Sequence, residues 1–230
     1  MSQLIVQSKD IVTLIGGGDA SRAVLETLRA NAQTVVAADG GARHALTACV
    51  IPDAVIGDFD SLDRHVRDAL PADRLFQFPE QDSTDFEKCL SRIAAPLVLA
   101  LGFMGPRTDH QLATFHGLLR AAQQPCVLVG DHQIVCLCPP KITFPADHGD
   151  LVSLFPLGAA QADSQGLEWP LKDVPLAPGR MVGTSNRATG GMVTIECVTA
   201  NLLLILPRSK LDVLTSALLS VTERWPAHAE

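Results

Sequence analysis

A chain of 230 residues, 47% apolar and 19% charged, can bury a substantial core, and its length falls between one large domain and two small ones. A formal charge of −7 argues against a nucleic-acid groove, which needs clustered Lys and Arg, but leaves room for a small anionic substrate held through a metal ion. No apolar run reaches membrane-spanning length, the N-terminus lacks the features of a signal peptide, and six cysteines without a C-x-x-C pair read as buried reduced thiols, so the cytoplasm is the expected compartment.

In chain order, residues 11–15 are a β-branched run ending in Gly16, Gly17, Gly18 and Asp19. After it Val24, Leu25 and Leu28 recur at helical spacing over residues 21–30. The alternation repeats: a strand at 34–38 leads to Asp39-Gly40-Gly41 and a helix through Leu46, and a strand at 54–56 leads to an acidic turn and a helix over 62–70. Further strands are expected at 74–78, 97–101 and 126–129, with helices at 83–93 and 108–122. Such alternation predicts an α/β domain with a parallel sheet, whose ligands collect at the carboxyl ends of the strands. The Gly and Asp clusters all fall at those ends.

At Pro139-Pro140 the texture changes to short strands separated by Pro and Gly turns, which predicts a small antiparallel β-sandwich. The expected domains are thus 1–138 and 139–230. A terminal helix over 209–225 is read from Leu211, Leu214, Leu218, Val221 and Trp225, with Ser209 as N-cap.

Chemistry concentrates between Val55 and Lys88. Asp58, Asp60, Asp82 and Asp85 bring four carboxylates to two segment ends, where they would repel one another without a cation. If the chain stays extended past Ile56, Asp58 and Asp60 leave the same face and can share one Mg²⁺. The plainer alternative makes Asp60 or Ser61 a helix cap and Asp58 a turn residue. Asp82 and Asp85 likewise have capping-box spacing, although Lys88, one turn on, could present a cation to phosphate. Asp39-Gly40-Gly41 opens a helix where backbone N–H groups can meet an anion. Arg107, ahead of a helix that Thr108 and Gln111 would cap, could fork onto phosphate, and Asp109 could accept from an amine. Thr184, Ser185 and Asn186 are short polar side chains at a strand end. Trp169, one of two tryptophans in a chain without tyrosine, offers either a stacking face or core volume.

Asp39-Gly40-Gly41, Gly57-Asp58-Phe59-Asp60-Ser61, the run from Gln81 to Lys88, the run from Gly102 to His110, and Thr184-Ser185-Asn186, in this order, resemble the thiamine pyrophosphokinase family over nearly the whole chain. The resemblance implies an α/β catalytic domain followed by a β-sandwich, a homodimer with sites between subunits, and transfer of a diphosphoryl group from ATP to thiamine with release of AMP. By the same resemblance Asp58, Asp60 and Asp85 hold Mg²⁺ and phosphate and are the catalytic residues. Asp39, Gly40, Gly41, Thr84, Lys88 and Arg107 lie along ATP. Gln81 and Asp109 of one subunit contact thiamine together with Ser185 and Asn186 of its partner, and Trp169 lies near the thiamine rings. A cationic thiazolium over an aromatic face is worth up to about 2 kcal/mol when desolvated.

Two features depart from the family pattern. Pro106 stands where many members have a second glycine, fixing one φ and removing one N–H beside the nucleotide. The terminal helix extends past the usual end of such chains. The alternatives to be weighed are a diphosphokinase for a pterin-like hydroxymethyl heterocycle and a non-catalytic thiamine or nucleotide sensor. A haloacid-dehalogenase-type phosphatase, which also uses D-x-D, fits poorly because Asp58 follows a later strand. No nucleic-acid or membrane partner is expected.

Overall fold

Strands made of unbroken apolar residues need cover on both faces, and the first part of the chain is built that way. The computed structural model describes residues 3–18 and 33–227. Asp19 and the helix expected over residues 21–30 lie outside them. The chain divides into two compact units, Met1–Asp131 and His132–Glu230.

In the first unit the order is β1 (Val6–Gln7), β2 (Val12–Ile15), β3 (Thr34–Ala38), α1 (Gly41–Thr47), β4 (Ala54–Gly57), α2 (Arg64–Asp68), β5 (Leu75–Gln77), α3 (Asp85–Leu90), β6 (Ile93–Ala94), β7 (Val98–Leu101), α4 (Thr108–Arg120) and β8 (Cys126–Val129). Every residue of β2, β4, β7 and β8 is buried. The strands lie in the order β8-β7-β2-β3-β4-β5, all pairs parallel. Register brings the carboxyl ends level: Ile15 pairs with both Ala37 and Leu101, and Gly57 pairs with Gln77. From β2 the chain builds outward through β3 to β5, then returns to the other side of β2 with β7. The crevice of such a sheet opens at that reversal. Gly102 sits there with φ of +73°, and a Cβ on it would come within 2.6 Å of the Gly16 carbonyl oxygen, so both conformation and space require glycine.

In this unit α2, α3 and α4 are each shorter than expected, α4 ending at Arg120 rather than at residue 122. Leu62 does not open α2, because it turns inward to a cluster with Ala37, Ala42, Val55 and Leu70, and the helix starts at Arg64. The α3 helix ends at Leu90, because Ile93 and Ala94 pair in parallel with Val6 and Gln7. Its cap is also displaced from the expected Asp82 and Asp85. The Thr84 hydroxyl accepts from the Glu87 N–H at 3.3 Å while the Glu87 carboxylate accepts from the Thr84 N–H at 2.9 Å. The α4 helix has Arg107 at its N-cap without a side-chain cap, so the expected Thr108 and Gln111 box does not form. A Cβ on Gly117 of α4 would meet the Phe86 ring at 2.8 Å, which lets α4 approach α3 closely.

The second unit is antiparallel, as its short strands between Pro and Gly turns predict. One sheet has the order β14 (Gly183–Arg187), β11 (Leu151–Pro156), β16 (Leu202–Pro207), β9 (Gln133–Leu137). The other has β10 (Lys141–Ala146), β15 (Gly191–Cys197), β12 (Ala160–Gln165) and β13 (Val174–Leu176). Strand β9 belongs with this unit because it pairs with β16, although the change in sequence texture comes later, at Pro139. Ile142, Phe144, Val152, Leu154, Val193, Ile195 and Leu204 point inward.

The terminal helix α5 is Leu211–Ser220, shorter than the expected 209–225. Residues Arg208–Lys210 form a 3₁₀ turn, so Ser209 is not its cap. The Lys210 ammonium bonds Asp150 and Asp147 at 2.5 and 2.9 Å, tying the start of α5 to the turn before β11. Leu214 and Leu218 are buried and α5 packs on β10. Trp225 lies beyond the helix, where its indole N–H donates to the Cys138 carbonyl at 2.8 Å. None of the six cysteines is in a disulfide, and Cys49 is the exposed one.

Candidate active site

Within the first unit the loops after the parallel strands wall a cavity of about 800 Å³. Gly17 and Gly18 come from the end of β2, Asp39 and Gly40 from β3, Asp58 and Ser61 from β4, residues 81–88 from the start of α3, and Gly102, Phe103, Gly105, Pro106 and Arg107 from the loop after β7.

The acidic turn does not stay extended. Phe59 adopts φ of +69°, a region that costs a bulky residue energy, and so swings Asp60 back toward Asp58. The turn is held at several points. The Asp60 N–H donates to Asp58 Oδ1 at 3.1 Å, Gln77 Nε2 donates to the Asp58 carbonyl at 2.8 Å, and the Ser61 N–H donates to Asp39 Oδ2 at 3.0 Å. The Phe59 ring packs against the Leu62 and Leu70 cluster, with the Arg67 guanidinium 5.7 Å from its centre.

Carboxylate oxygens of Asp39, Asp58 and Asp60 lie within 4.8 Å of one another. Of the expected carboxylates, Asp58 and Asp60 belong to this group together with Asp39, Asp85 stands outside it beside Lys88, and Asp82 is exposed on the cavity rim. Asp39 is 2% exposed and its Oδ1 accepts no hydrogen bond. Burial, reinforced by Asp85 and Asp60, pushes its carboxyl up to about 6 against the opposing Ser61 N–H. Burial also raises Asp85, with Asp58 and Asp60 adding to it and Lys88 opposing. At Asp58 burial is outweighed by the Asp60 N–H, Gln81 and Lys88, which hold the carboxyl below its usual range. Clustered hard oxygens, one of them buried without a donor, fit a divalent cation such as Mg²⁺.

Lys88 is itself buried, at 2% exposure, with its ammonium 3.4 Å from Asp58 Oδ2 and 3.5 Å from Asp85 Oδ1. It thus joins two carboxylates as well as facing the cavity. Gln81, expected at the acceptor, donates through Nε2 to Asp58 Oδ2 at 3.0 Å. Thr84 lines the cavity as the cap of α3. Gly40 is the N-cap of α1, and a Cβ on Gly41 would collide with the Ile15 carbonyl. Arg107 and Asp109 pair with each other at 2.7 Å on the exposed entry to α4, and Arg107 holds the Asp109 carboxyl down to about 2.

Ser185, Asn186 and Trp169 belong to the second unit. Ser185 has φ of +61° and its N–H donates to the Ser153 hydroxyl at 2.9 Å. Asn186 is buried, and its amide is engaged inside the unit. Its Oδ1 accepts from the Trp169 and Arg187 N–H groups at 3.1 and 2.8 Å, while Nδ2 donates to the Trp169 carbonyl at 2.7 Å. Asn186 therefore anchors the segment from which the Trp169 side chain, 57% exposed, projects. Gln77, which donates to the Asp58 carbonyl, and Glu80, which accepts from the Asp82 and Ser83 N–H groups, were not singled out in the sequence. A Glu immediately before the Gln81 run was the available signal.

Fold and cavity together define an α/β protein with a carboxylate-lined site at its strand ends, followed by an antiparallel unit. Residues 25–129 match the family model described as "Thiamin pyrophosphokinase, catalytic domain", and residues 141–202 match "Thiamin pyrophosphokinase, vitamin B1 binding domain", which together take in more than half of the chain. The chain belongs to the thiamine pyrophosphokinase family. It is 29% identical over 164 residues to thiamine pyrophosphokinase 1 of Arabidopsis thaliana, a match spanning 63% of this chain and 61% of that relative's length. The Caenorhabditis elegans thiamin pyrophosphokinase 1 is 25% identical over 191 residues, covering 74% of this chain and 78% of the relative. The fold is shared with thiamin pyrophosphokinase from Candida albicans, at a TM-score of 0.72 with 16% identity over 89% of this chain and 92% of that one. The Bacillus subtilis thiamine pyrophosphokinase gives a TM-score of 0.71 with 21% identity over 86% and 98%.

Proposed function

We propose that this protein transfers the diphosphoryl group of ATP to the hydroxyl of thiamine, giving thiamine diphosphate and AMP. The observation that carries the reading is the Asp39, Asp58 and Asp60 cluster, joined through Lys88 to Asp85 in a cavity at the strand ends of a matched catalytic domain. The thiamine oxygen attacks the β-phosphorus, the bond from that phosphorus to the oxygen retained by AMP breaks, and the hydroxyl proton is released.

Asp58, Asp60 and Asp85, with Asp39, are the residues suited to hold Mg²⁺. When bound, the ion neutralises phosphate charge. The chain's own part is positioning and electrostatic preorganisation, which phosphoryl-type transfer chiefly needs. Lys88 bridges Asp58 and Asp85 and favours the charged form of both, and Arg107 supplies positive charge at the mouth of the cavity. Gly40, Gly41 and Thr84 border the ATP side.

For the acceptor we assign Gln81 and Asp109 of one subunit together with Ser185, Asn186 and Trp169 of a second copy, so the working form is a homodimer. Asn186 acts there by holding the Trp169 segment. The match of residues 141–202 to a vitamin B1 binding domain favours thiamine over a pterin-like acceptor and over a sensor without turnover. Cysteines outside disulfides suit a reducing compartment, which we take to be the cytoplasm, and among the described residues no helix is long and apolar enough to cross a membrane.

Incubation with ATP, Mg²⁺ and thiamine, followed by identification of both products, tests the reading. AMP with thiamine diphosphate is expected. ADP, or no thiamine-dependent consumption of ATP, overturns it.

A further inference from the structure

Glu80 stands between β5 and α3 and does not line the cavity, yet its carboxylate organises the segment that does. Its Oε2 accepts from the Asp82 and Ser83 N–H groups at 3.2 and 3.3 Å, and its Oε1 accepts from the Ser83 hydroxyl at 2.8 Å. Three donors converging on one half-buried side chain close a tight turn over residues 80–83. On one side of that turn Gln81 is delivered to Asp58 Oδ2 at 3.0 Å. On the other Thr84 starts the capping box that sets Asp85 and Lys88 on the first turn of α3. Burial raises the Glu80 carboxyl, but the convergent donors and the Lys88 ammonium outweigh it and hold the group below its usual range.

We propose that Glu80 is a positioning residue of this site, which fixes the 80–83 turn so that Gln81 holds Asp58 in the orientation that receives Mg·ATP. The inference rests on the reading of the cavity as a Mg·ATP site and goes beyond it in assigning a role to a residue that touches neither substrate. Geometry rather than charge is what Glu80 supplies. A shorter acid draws the carboxylate back toward the main chain and off the arrangement that serves both amides and the Ser83 hydroxyl together, whereas a glutamine keeps a carbonyl oxygen for the two N–H groups and an amide group for the Ser83 oxygen.

The test compares E80A, E80D and E80Q with the unaltered chain in three measurements: calorimetric affinity for ATP at fixed Mg²⁺, turnover to AMP, and thermal midpoint. E80A and E80D are expected to weaken Mg²⁺-dependent ATP binding about 5-fold or more and to lower turnover about 10-fold or more, as for a group that orients a binding side chain. E80Q should stay within about 3-fold of the unaltered chain on the same scale. E80D serves if E80A does not fold. The double variant E80A/Q81A should be no worse than the poorer single one, because both changes act on one contact. Unchanged ATP binding in E80A and E80D, equal losses in E80Q and E80D, or strictly additive effects in the double variant would overturn the proposal. Calorimetry keeps this test separate from the choice of acceptor, since a chain that binds Mg·ATP but ignores thiamine fails the functional reading while still testing Glu80.

Discussion

The Lys88 ammonium lies between two carboxylates, 3.4 Å from Asp58 and 3.5 Å from Asp85, at 2% exposure. One residue thereby links the acidic turn after β4 to the first turn of α3. Removing one member of a buried charge group costs more than the pair ever contributed, because the remaining charges stay desolvated and unpaired. Lys88→Met should therefore lower stability by about 3 kcal/mol in chelator and reduce turnover as well. Urea unfolding with and without Mg²⁺ measures this, and an unchanged midpoint in chelator would remove Lys88 from that role.

Asp39 makes stability depend on pH in a defined direction. Its folded-state carboxyl is raised to about 6, so between the ordinary aspartate range, about 3.9, and that value the folded chain keeps a proton that the unfolded chain has lost. Its contribution is full below that range and disappears as pH rises through about 6. In chelator, thermal midpoints should fall across this window, and Asp39→Asn should flatten the fall. The same variant should need more Mg²⁺ for activity. A pH profile identical to that of the unaltered chain contradicts the assignment.

Asp58→Asn and Asp85→Asn each keep the side-chain shape and delete one charge. Turnover should drop on the order of 10²-fold or more, as when other preorganised electrostatic groups are removed. Folding should change less than in Lys88→Met, because Lys88 keeps the other carboxylate as its partner in each variant. Circular dichroism melts run beside product assays separate the two, and near-normal rates from both folded variants would end the cation-site reading.

Asn186→Ala removes the two side-chain hydrogen bonds that hold the Trp169 backbone within the second unit. Trp169 should become more mobile, with a red-shifted, more readily quenched emission. Kinetically the KM for thiamine should rise more than kcat falls. Emission and KM both unchanged would show that the segment holds itself.

The parallel sheet was legible because β2, β4, β7 and β8 are apolar throughout, and the glycine and acidic clusters marked their carboxyl ends. Strand β12 was not. Its sequence, Ala160-Gln161-Ala162-Asp163-Ser164-Gln165, has no β-branched or aromatic residue, and only pairing with β13 and β15 makes it a strand. Helix ends failed where tertiary contacts overrode spacing, as at Leu62 and Ile93. In the site, Asp58, Asp60 and Asp85 were found as acids, but the approach of Asp39 depends on the register of β3 against β4, and the bend at Phe59 has no glycine to announce it. The Asn186 anchor was hidden because an exposed turn asparagine and a buried bracing one look alike in sequence.

The left-handed conformation of Phe59 leaves the acidic turn answerable to packing behind it. Its ring rests on Leu62 and Leu70, with Val66 bordering the same cluster, while its backbone turns Asp60 toward Asp58. A trimmed Leu70, remote from any phosphate, would loosen the wedge that keeps the turn coiled. Variation at Leu70, just past the end of α2, should thus register first as a demand for more magnesium, well before the protein melts. The mutational neighbourhood of this site accordingly extends through the sheet's apolar flank to residues that no ligand touches.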